Sequence, residues 1–306
     1  MNTYLAYRVR AFFIVVSLLA IAAHTSWAWP FPDPSLFGEP VPVPGIAVND
    51  FGVSLTPDGQ HMLFGRGAPH QVYSADWNAS LGSWTNIQHI ELGPGGGSYD
   101  SDPCLSLDGQ FLFYVGSNGS TGDIYRSARQ PDDSWGQGQL VGLGKTTVPG
   151  NATPFFDGNR LYFTRYALPV SFEMAYAPYD AGSDSFGAPV LLDSINSAPS
   201  YDNNARVFGD GETLLWNSNR TGTSGASDIW MASWDPTEGD WTDIRNPGWT
   251  IKSTQSDDVM WYCESTQTLY FRRDGQPLQA TAVPEPATLG LLALGGLGML
   301  ARRRRK

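Results

Sequence analysis

Short apolar runs separated by polar turns repeat along the middle of the chain. An Asp-Gly dipeptide recurs at Asp58-Gly59, Asp108-Gly109, Asp157-Gly158 and Asp210-Gly211, with spacings of 50, 49 and 53 residues. Each dipeptide lies between two apolar runs, a pattern that favours a β-hairpin because both turn positions tolerate positive φ. The pattern predicts the first two strands of four consecutive repeats.

A third apolar run and then an aromatic residue complete each of these repeats. The third runs are residues 72–75, 124–127, 174–176 and 229–232, and the aromatic residues are Trp84, Trp135, Phe186 and Trp241. Four strands in a unit of about 50 residues are typical of one blade of a β-propeller.

A fifth, degenerate copy follows, with strands predicted at 259–263 and 269–271 and a turn at 265–267. It has no fourth strand of its own, but Phe37-Gly38-Glu39-Pro40-Val41 matches Phe186-Gly187-Ala188-Pro189-Val190. We therefore predict an all-β, five-bladed β-propeller with four-stranded antiparallel blades. An N-terminal strand pairs into the last blade and closes the ring, which removes an open sheet edge.

The repeats resemble those of TolB-type, WD-like propellers. The residues that carry this resemblance are 101–109, 217–222 and 227–230, and it extends from Asn49 to about Gln279. The resemblance implies a binding or scaffold module of the bacterial envelope, and it implies no specific ligand.

Both ends of the chain are predicted to be targeting segments. Arg8 and Arg10 precede an apolar run over 11–23, and Ser26-Trp27-Ala28 follows as a small-residue cleavage site. This is the pattern of a secretory signal peptide over residues 1–28. A membrane anchor is the alternative, although the run is short for the roughly 20 residues that span a bilayer.

Residues 284–306 resemble the PEP-CTERM sorting signal. Pro284-Glu285-Pro286 is followed by an apolar stretch through Leu300 and by the basic cluster Arg302, Arg303, Arg304, Arg305 and Lys306. The resemblance implies processing by an exosortase and transient membrane association, with the basic cluster kept in the cytoplasm. A permanent anchor is the alternative. The predicted organisation is thus a signal peptide over 1–28, a propeller over 29–283 and a sorting tail over 284–306.

The net charge of the chain limits which classes of molecule can be its partners. The chain of 306 residues has a net charge of −11, and all seven basic residues named above lie in the terminal segments, so the propeller body is more acidic still. An acidic body excludes a nucleic-acid partner, because phosphate neutralisation needs a basic surface. The two cysteines, Cys104 and Cys263, fall on blades that are not adjacent, and we expect free thiols.

The candidate site lies in the polar loops that lead into the first strand of each blade, near the mouth of the axial channel. Its residues are Asp50, Asp100, Asp102, Asn151, Asp202, Asn204, Asp257 and Asp258. Converging carboxylates suit a hard cation such as Ca²⁺, and no other cofactor is expected. The alternative is that these side chains cap the starts of the strands by hydrogen bonding to backbone N–H groups.

We expect a non-enzymatic surface or matrix module that binds polysaccharide or envelope protein. Trp77, Trp234 and Trp249 lie outside the repeated aromatic position and are candidates for stacking on sugars. One alternative is a glycoside hydrolase that uses Asp50, Asp102 or Asp258, although no Glu begins an inner strand. A purely structural envelope protein is the other.

Overall fold

The computed structural model describes residues 31–92, 99–117, 122–143, 151–167, 171–208, 211–248 and 251–283. In these residues the chain forms strands β1 to β21 and a short 3-10 turn at Pro34–Leu36. The strands make five antiparallel sheets arranged as the blades of a propeller, which confirms the predicted fold.

Each blade runs outward from an inner strand to an outer strand. Blade 1 contains β2 (Phe51–Leu55), β3 (His61–Arg66), β4 (Gln71–Asn78) and β5 (Ser83–His89). Blade 2 contains β6 (Tyr99–Leu105), β7 (Phe111–Ser117), β8 (Gly122–Ala128) and β9 (Gln139–Leu140). Blade 3 contains β10 (Asn151–Phe156), β11 (Arg160–Ala167), β12 (Ser171–Asp180), β13 (Ser185–Phe186) and β14 (Val190–Leu191).

The remaining blades complete the ring. Blade 4 contains β15 (Asp202–Phe208), β16 (Thr213–Ser218), β17 (Asp228–Asp235) and β18 (Asp240–Arg245). Blade 5 contains β19 (Asp257–Cys263), β20 (Thr268–Arg273), β21 (Gln276–Thr281) and, from the N-terminal end of the chain, β1 (Val41–Pro42).

The N-terminal strand closes the ring as predicted. Val41 lies opposite Gln279 of β21, and Phe37 forms a separate bridge to Ala282. Blade 3 has the same interrupted outer strand, in which Phe186 lies opposite Tyr179 and Val190 opposite Tyr176. The sequence match between the two segments therefore reflects one shared way of pairing.

The Asp-Gly turns differ in detail from the predicted hairpin. In the first two turns only the glycine has positive φ, at 69° for both Gly59 and Gly109. The aspartate instead accepts hydrogen bonds from its own turn: Asp58 accepts from the Thr56 hydroxyl at 2.5 Å and from the Gln60 N–H at 3.0 Å. Asp157 caps the third turn in a similar way, and Asp210 lies outside the described residues.

The antiparallel order of the strands gives the propeller two different faces. Each inner strand begins at one face, here called the loop face, where the chain arrives from the preceding blade. It ends at the opposite turn face, which carries the Asp-Gly turns and the turn 264–267. Cys104 and Cys263 are buried free thiols, as predicted. Of the helices in the described ranges, none is long and apolar enough to cross a membrane.

Candidate functional site

Three aspartates at the loop face are held by arginines. Asp50, Asp202 and Asp257 are almost fully buried, and each is 2.6 Å from an arginine at or just past the end of the neighbouring strand: Arg66, Arg220 and Arg273. Each carboxylate also accepts a backbone N–H from the loop before its own strand, from Ala47, Ser197 and Ser253. These charge-assisted bonds occupy the carboxylates and support the capping interpretation.

Asp100 has the same position in blade 2 but no arginine. Gly116 lies opposite it on β7, and its Oδ1 has no hydrogen-bond partner among the described residues. Burial raises the pKa of Asp100 to about 6, with the charge of His89 opposing this rise. In blade 3 the position is Asn151, which lies opposite Arg165; its side chain is outside the described part.

A second set of side chains is directed by a bulge near the start of each inner strand. Asp102, Thr153 and Asn204 have equivalent places in blades 2, 3 and 4, each with positive φ, at 49°, 50° and 64°. Bulges of this kind re-aim a side chain. In blade 1 the position is Gly52, where a Cβ would come 2.8 Å from the Cα of Asp102.

The second set forms contacts between blades. The Asn204 N–H donates to the hydroxyl of Thr164, and its side-chain amide donates to the Val259 carbonyl. Burial raises the pKa of Asp102, which is opposed chiefly by the charge of Arg206. Asp258 lies 3.1 Å from Arg272.

Arg206 is a fully buried cation on the inner strand of blade 4. Its Nε donates to the Met260 carbonyl at 2.8 Å and its Nη1 to the Ala205 carbonyl at 2.9 Å. The guanidinium also lies 5.7 Å from the ring of Phe155. Arg206 therefore stands between the loop-face polar groups and the aromatic residues toward the turn face.

Four of the eight predicted ring residues are ion-paired with arginines: Asp50, Asp202, Asp257 and Asp258. Asn204 bonds to the neighbouring blades, whereas Asp100 and Asp102 have no ion pair among the described contacts. Within the described ranges, no three His, Cys, Asp or Glu residues are grouped in a way that would hold a metal ion. Calcium at this ring stays a prediction. For the hydrolase alternative, Asp50 and Asp258 are already paired with arginines, while Asp102 is not in a direct ion pair among the described contacts.

A large cavity opens at the turn face. It has a volume of about 1000 Å³ and lies where the inner strands end. Its deeper walls are apolar and aromatic: Leu55, Leu105, Phe155, Val207, Phe208, Trp261 and Tyr262. Its polar and charged lining residues include Thr56, Ser106, Asp157, Arg160, Glu212 and Glu264. A mostly apolar hollow with a few polar groups is the usual form of a ligand site.

The turn between the first two strands is shortest in blade 3. In blade 2, Ser106 and Leu107 stand between the inner strand and Asp108, whereas in blade 3 Asp157 directly follows Phe156. The shorter turn brings Arg160, the first residue of β11, to the cavity wall. Burial raises the pKa of Asp157, although N–H groups of its own turn oppose the rise.

Trp234 lines the cavity beside this arginine. The Arg160 guanidinium is 5.2 Å from the Trp234 ring and 4.7 Å from the Tyr176 ring, which are cation–π distances. Trp234 also packs edge-to-face on Trp241 with centroids 5.3 Å apart. Trp234, which was predicted to stack on sugars, thus lines a cavity. Trp249 lies outside the described residues.

The N-terminal part of the body packs beside the cavity as well. The Phe31 ring is 4.8 Å from the Tyr262 ring and 6.4 Å from the Phe208 ring, measured between centroids. Both of these partners line the cavity.

The polar residues predicted as the site lie at the loop face, whereas this cavity lies at the opposite face. The available signal was the aromatic residues near the ends of the inner strands, such as Phe208 and Trp261, together with the short third turn. Aromatic residues also fill propeller cores, so these residues alone do not reveal a cavity. The sequence does not show which end of the axial channel stays open.

Comparison with known proteins identifies the C-terminal segment. A family model described as the PEP-CTERM protein-sorting motif matches residues 282–306. The chain carries a PEP-CTERM sorting signal. The signal implies export, anchoring to the membrane through the C-terminus before processing, and processing by exosortase-type machinery. No curated protein matches the chain.

Solved structures of low identity share the propeller fold. A thermostable family-43 glycoside hydrolase is 12% identical with a TM-score of 0.56, over 80% of this chain and 91% of that one. A putative TolB from Agrobacterium tumefaciens is 16% identical with a TM-score of 0.48, over 73% and 69%. TolB from Acinetobacter baumannii is 17% identical with a TM-score of 0.43, over 76% and 54%. This chain therefore spans about half the length of that TolB. At these identities the likeness concerns the fold alone.

Proposed function

We propose that this PEP-CTERM propeller is a non-enzymatic binding module of the cell surface or extracellular matrix, with exopolysaccharide as its ligand. The observation that supports this function is the turn-face cavity. It combines aromatic walls, on which sugar rings stack, with carboxylates and an arginine that can bind sugar hydroxyls. An envelope protein is the alternative ligand, and with it the polysaccharide in the sedimentation test below would stay unbound.

The propeller body can be tested without its tail. The ring closes within residues 31–283 through the pairing of β1 with β21, so the body contains the whole fold. The body over residues 29–283 is mixed with the host's insoluble exopolysaccharide and sedimented, and the bound fraction is measured. We expect retention, and no retention with or without Ca²⁺ would overturn the matrix-binding function.

A matched pair of variants tests the cavity itself. Trp234 and Trp77 have the same place in blades 4 and 1, and each packs edge-to-face on a buried tryptophan, at 5.3 and 5.4 Å. Only Trp234 of the two is among the residues that line the described cavity. We expect Trp234→Ala to lower polysaccharide affinity at least fivefold and Trp77→Ala to leave it within twofold. Equal losses in both variants would show that the cavity is not the site.

The same assay addresses calcium and hydrolysis. A chelator that releases the bound protein would point to the loop-face ring of aspartates and away from the cavity. Release of reducing sugar that is lost in Asp102→Asn would support the hydrolase alternative, since Asp102 is an inner-strand carboxyl whose pKa burial raises. We expect neither result.

A further inference from the structure

The chain leaves the propeller at the turn face, beside the cavity. Thr281, the last residue of β21, pairs with Thr268, which directly follows the turn 264–267. The Ala282 N–H then donates to the Gln267 carbonyl at 2.9 Å, and the Val283 N–H donates to the Leu36 carbonyl at 2.8 Å. Glu264, in the same turn as Gln267, lines the cavity. Val283 is therefore fixed near the cavity mouth.

The sorting tail begins at once from this point. The apolar stretch that follows Pro284-Glu285-Pro286 starts by Leu289, six residues after Val283. An extended chain covers at most about 3.5 Å per residue, so these residues reach about 20 Å. A propeller blade is itself about 20 Å from face to face, because its strands have about seven residues at about 3.3 Å each. The tail is thus too short to pass around the body and anchor it by its loop face.

We propose that the anchored protein holds its turn face against the membrane, so that the cavity opens toward the lipid surface, and that tail removal uncovers the cavity for a polymeric ligand. That the cavity is the ligand site rests on the proposed function. The orientation of the anchored protein rests only on the contacts of residues 281–283. In this arrangement, processing of the tail is the step that activates binding.

The charge of the turn face explains why the released body would leave the membrane. Asp58, Asp132, Asp180 and Asp235 all lie in turns at this face, and hydrogen bonds within their own turns lower the pKa of each carboxyl. They therefore stay ionised well into the acidic range. Anionic lipid headgroups repel such a surface once no anchor holds it.

Two exposed apolar residues of similar accessibility allow a direct test of orientation. Leu107 is 55% exposed at the turn face, and Val48 is 58% exposed in the loop before β2 at the loop face. The full chain carrying Leu107→Cys or Val48→Cys is labelled with a fluorescent donor and inserted into vesicles that contain an acceptor-labelled lipid. The native cysteines are buried, and unsubstituted protein measures their background labelling. Flotation selects the inserted protein.

We expect energy transfer at least twofold stronger from position 107 than from position 48. Equal transfer, or stronger transfer from position 48, would overturn the orientation. Proteolytic removal of the tail should abolish transfer from both positions on anionic vesicles, and transfer that persists at position 107 would overturn the release step.

A second measurement tests the coupling to binding. Soluble exopolysaccharide is added to vesicle-anchored protein before and after tail removal, and we expect bound polymer to rise at least fivefold after removal. An equal amount in both states would overturn the activation step. Because energy transfer involves no ligand, a failure of the proposed polysaccharide function leaves the test of orientation unaffected.

Discussion

Asp100 occupies the position at which Asp50, Asp202 and Asp257 each pair with an arginine, yet it has Gly116 opposite it. Its carboxyl is buried with an unpartnered oxygen among the described residues, and burial raises its pKa to about 6 from an ordinary 3.8. The folded state therefore binds this proton more tightly than the unfolded state does. Stability contributed by the protonated form is present below about pH 4 and is lost as the pH rises through about 6.

This predicts that Asp100→Asn stabilises the protein at neutral pH. The amide removes the cost of burying an unpaired charge, so the free energy of unfolding at pH 7 should rise by about 1–2 kcal/mol. The gain should shrink toward pH 4, where the native carboxyl is protonated. Urea unfolding at several pH values measures both effects, and a gain that does not depend on pH would contradict the stated cause.

The arginine partners of the loop-face aspartates could not be predicted from the sequence. The sequence located the polar loop residues before the inner strands, but the arginines that neutralise Asp50 and Asp257 could not be assigned from it. Their pairing depends on strand register, and the bulges near the start of the inner strands shift that register. A one-residue error would have placed each arginine on the opposite face of its sheet.

At the scale of elements, the short closing strand depends on one buried anchor. β1 has only two residues, and Val41 is 49% exposed, whereas Phe37 is 2% exposed and packs on Phe31 and Tyr262. Apolar burial by Phe37 therefore contributes more to closure than the two backbone pairs of β1 do.

Phe37→Ala should consequently weaken the closure of the ring. We expect a loss of about 3–4 kcal/mol in the free energy of unfolding, from lost burial and the cavity left behind. Val41→Ala, an exposed change in the same segment, serves as the control and should cost less than about 0.5 kcal/mol. Hydrogen exchange of the β21 amides should rise in the first variant only. Equal costs for both would mean that backbone pairing dominates.

Element order could be predicted because Asp-Gly spacing and strand pattern repeat through the chain, and the match of 37–41 to 186–190 identified the missing strand. The turn-face cavity could not be predicted in the same way. It depends on the removal of two residues from the third turn and on how the side chains of Phe155, Phe208 and Trp261 pack, which are departures from the repeat.

At the scale of the whole molecule, β21 is covered along its outer side only while the N-terminal segment is in place. Removing residues 31–42 would expose the backbone groups of β21 that now pair with Val41 and Pro42. An exposed edge is a template for pairing with another chain.

This truncation should raise the mass observed by size-exclusion chromatography with light scattering, relative to the body over 29–283. A synthetic peptide of residues 31–42 should reverse the change by restoring the missing strand, which separates edge exposure from general unfolding. As a control, removing residues 284–306 instead should leave the observed mass at that of a single closed propeller. An unchanged mass in the truncated ring would contradict the role of closure.

The bridge between Phe37 and Ala282 joins residues that are 245 positions apart in the chain (282 − 37 = 245). The predicted signal peptide implies that the chain crosses the membrane from its N-terminus, which would deliver Phe37 long before its partner. The first blades then remain without the closing contact of the N-terminal segment until the last strand emerges. Contacts so distant in sequence also form slowly. The sorting tail follows that strand directly. The moment at which the ring can close is therefore also the moment at which the tail reaches the membrane, so that completion of folding and arrest of translocation coincide in time.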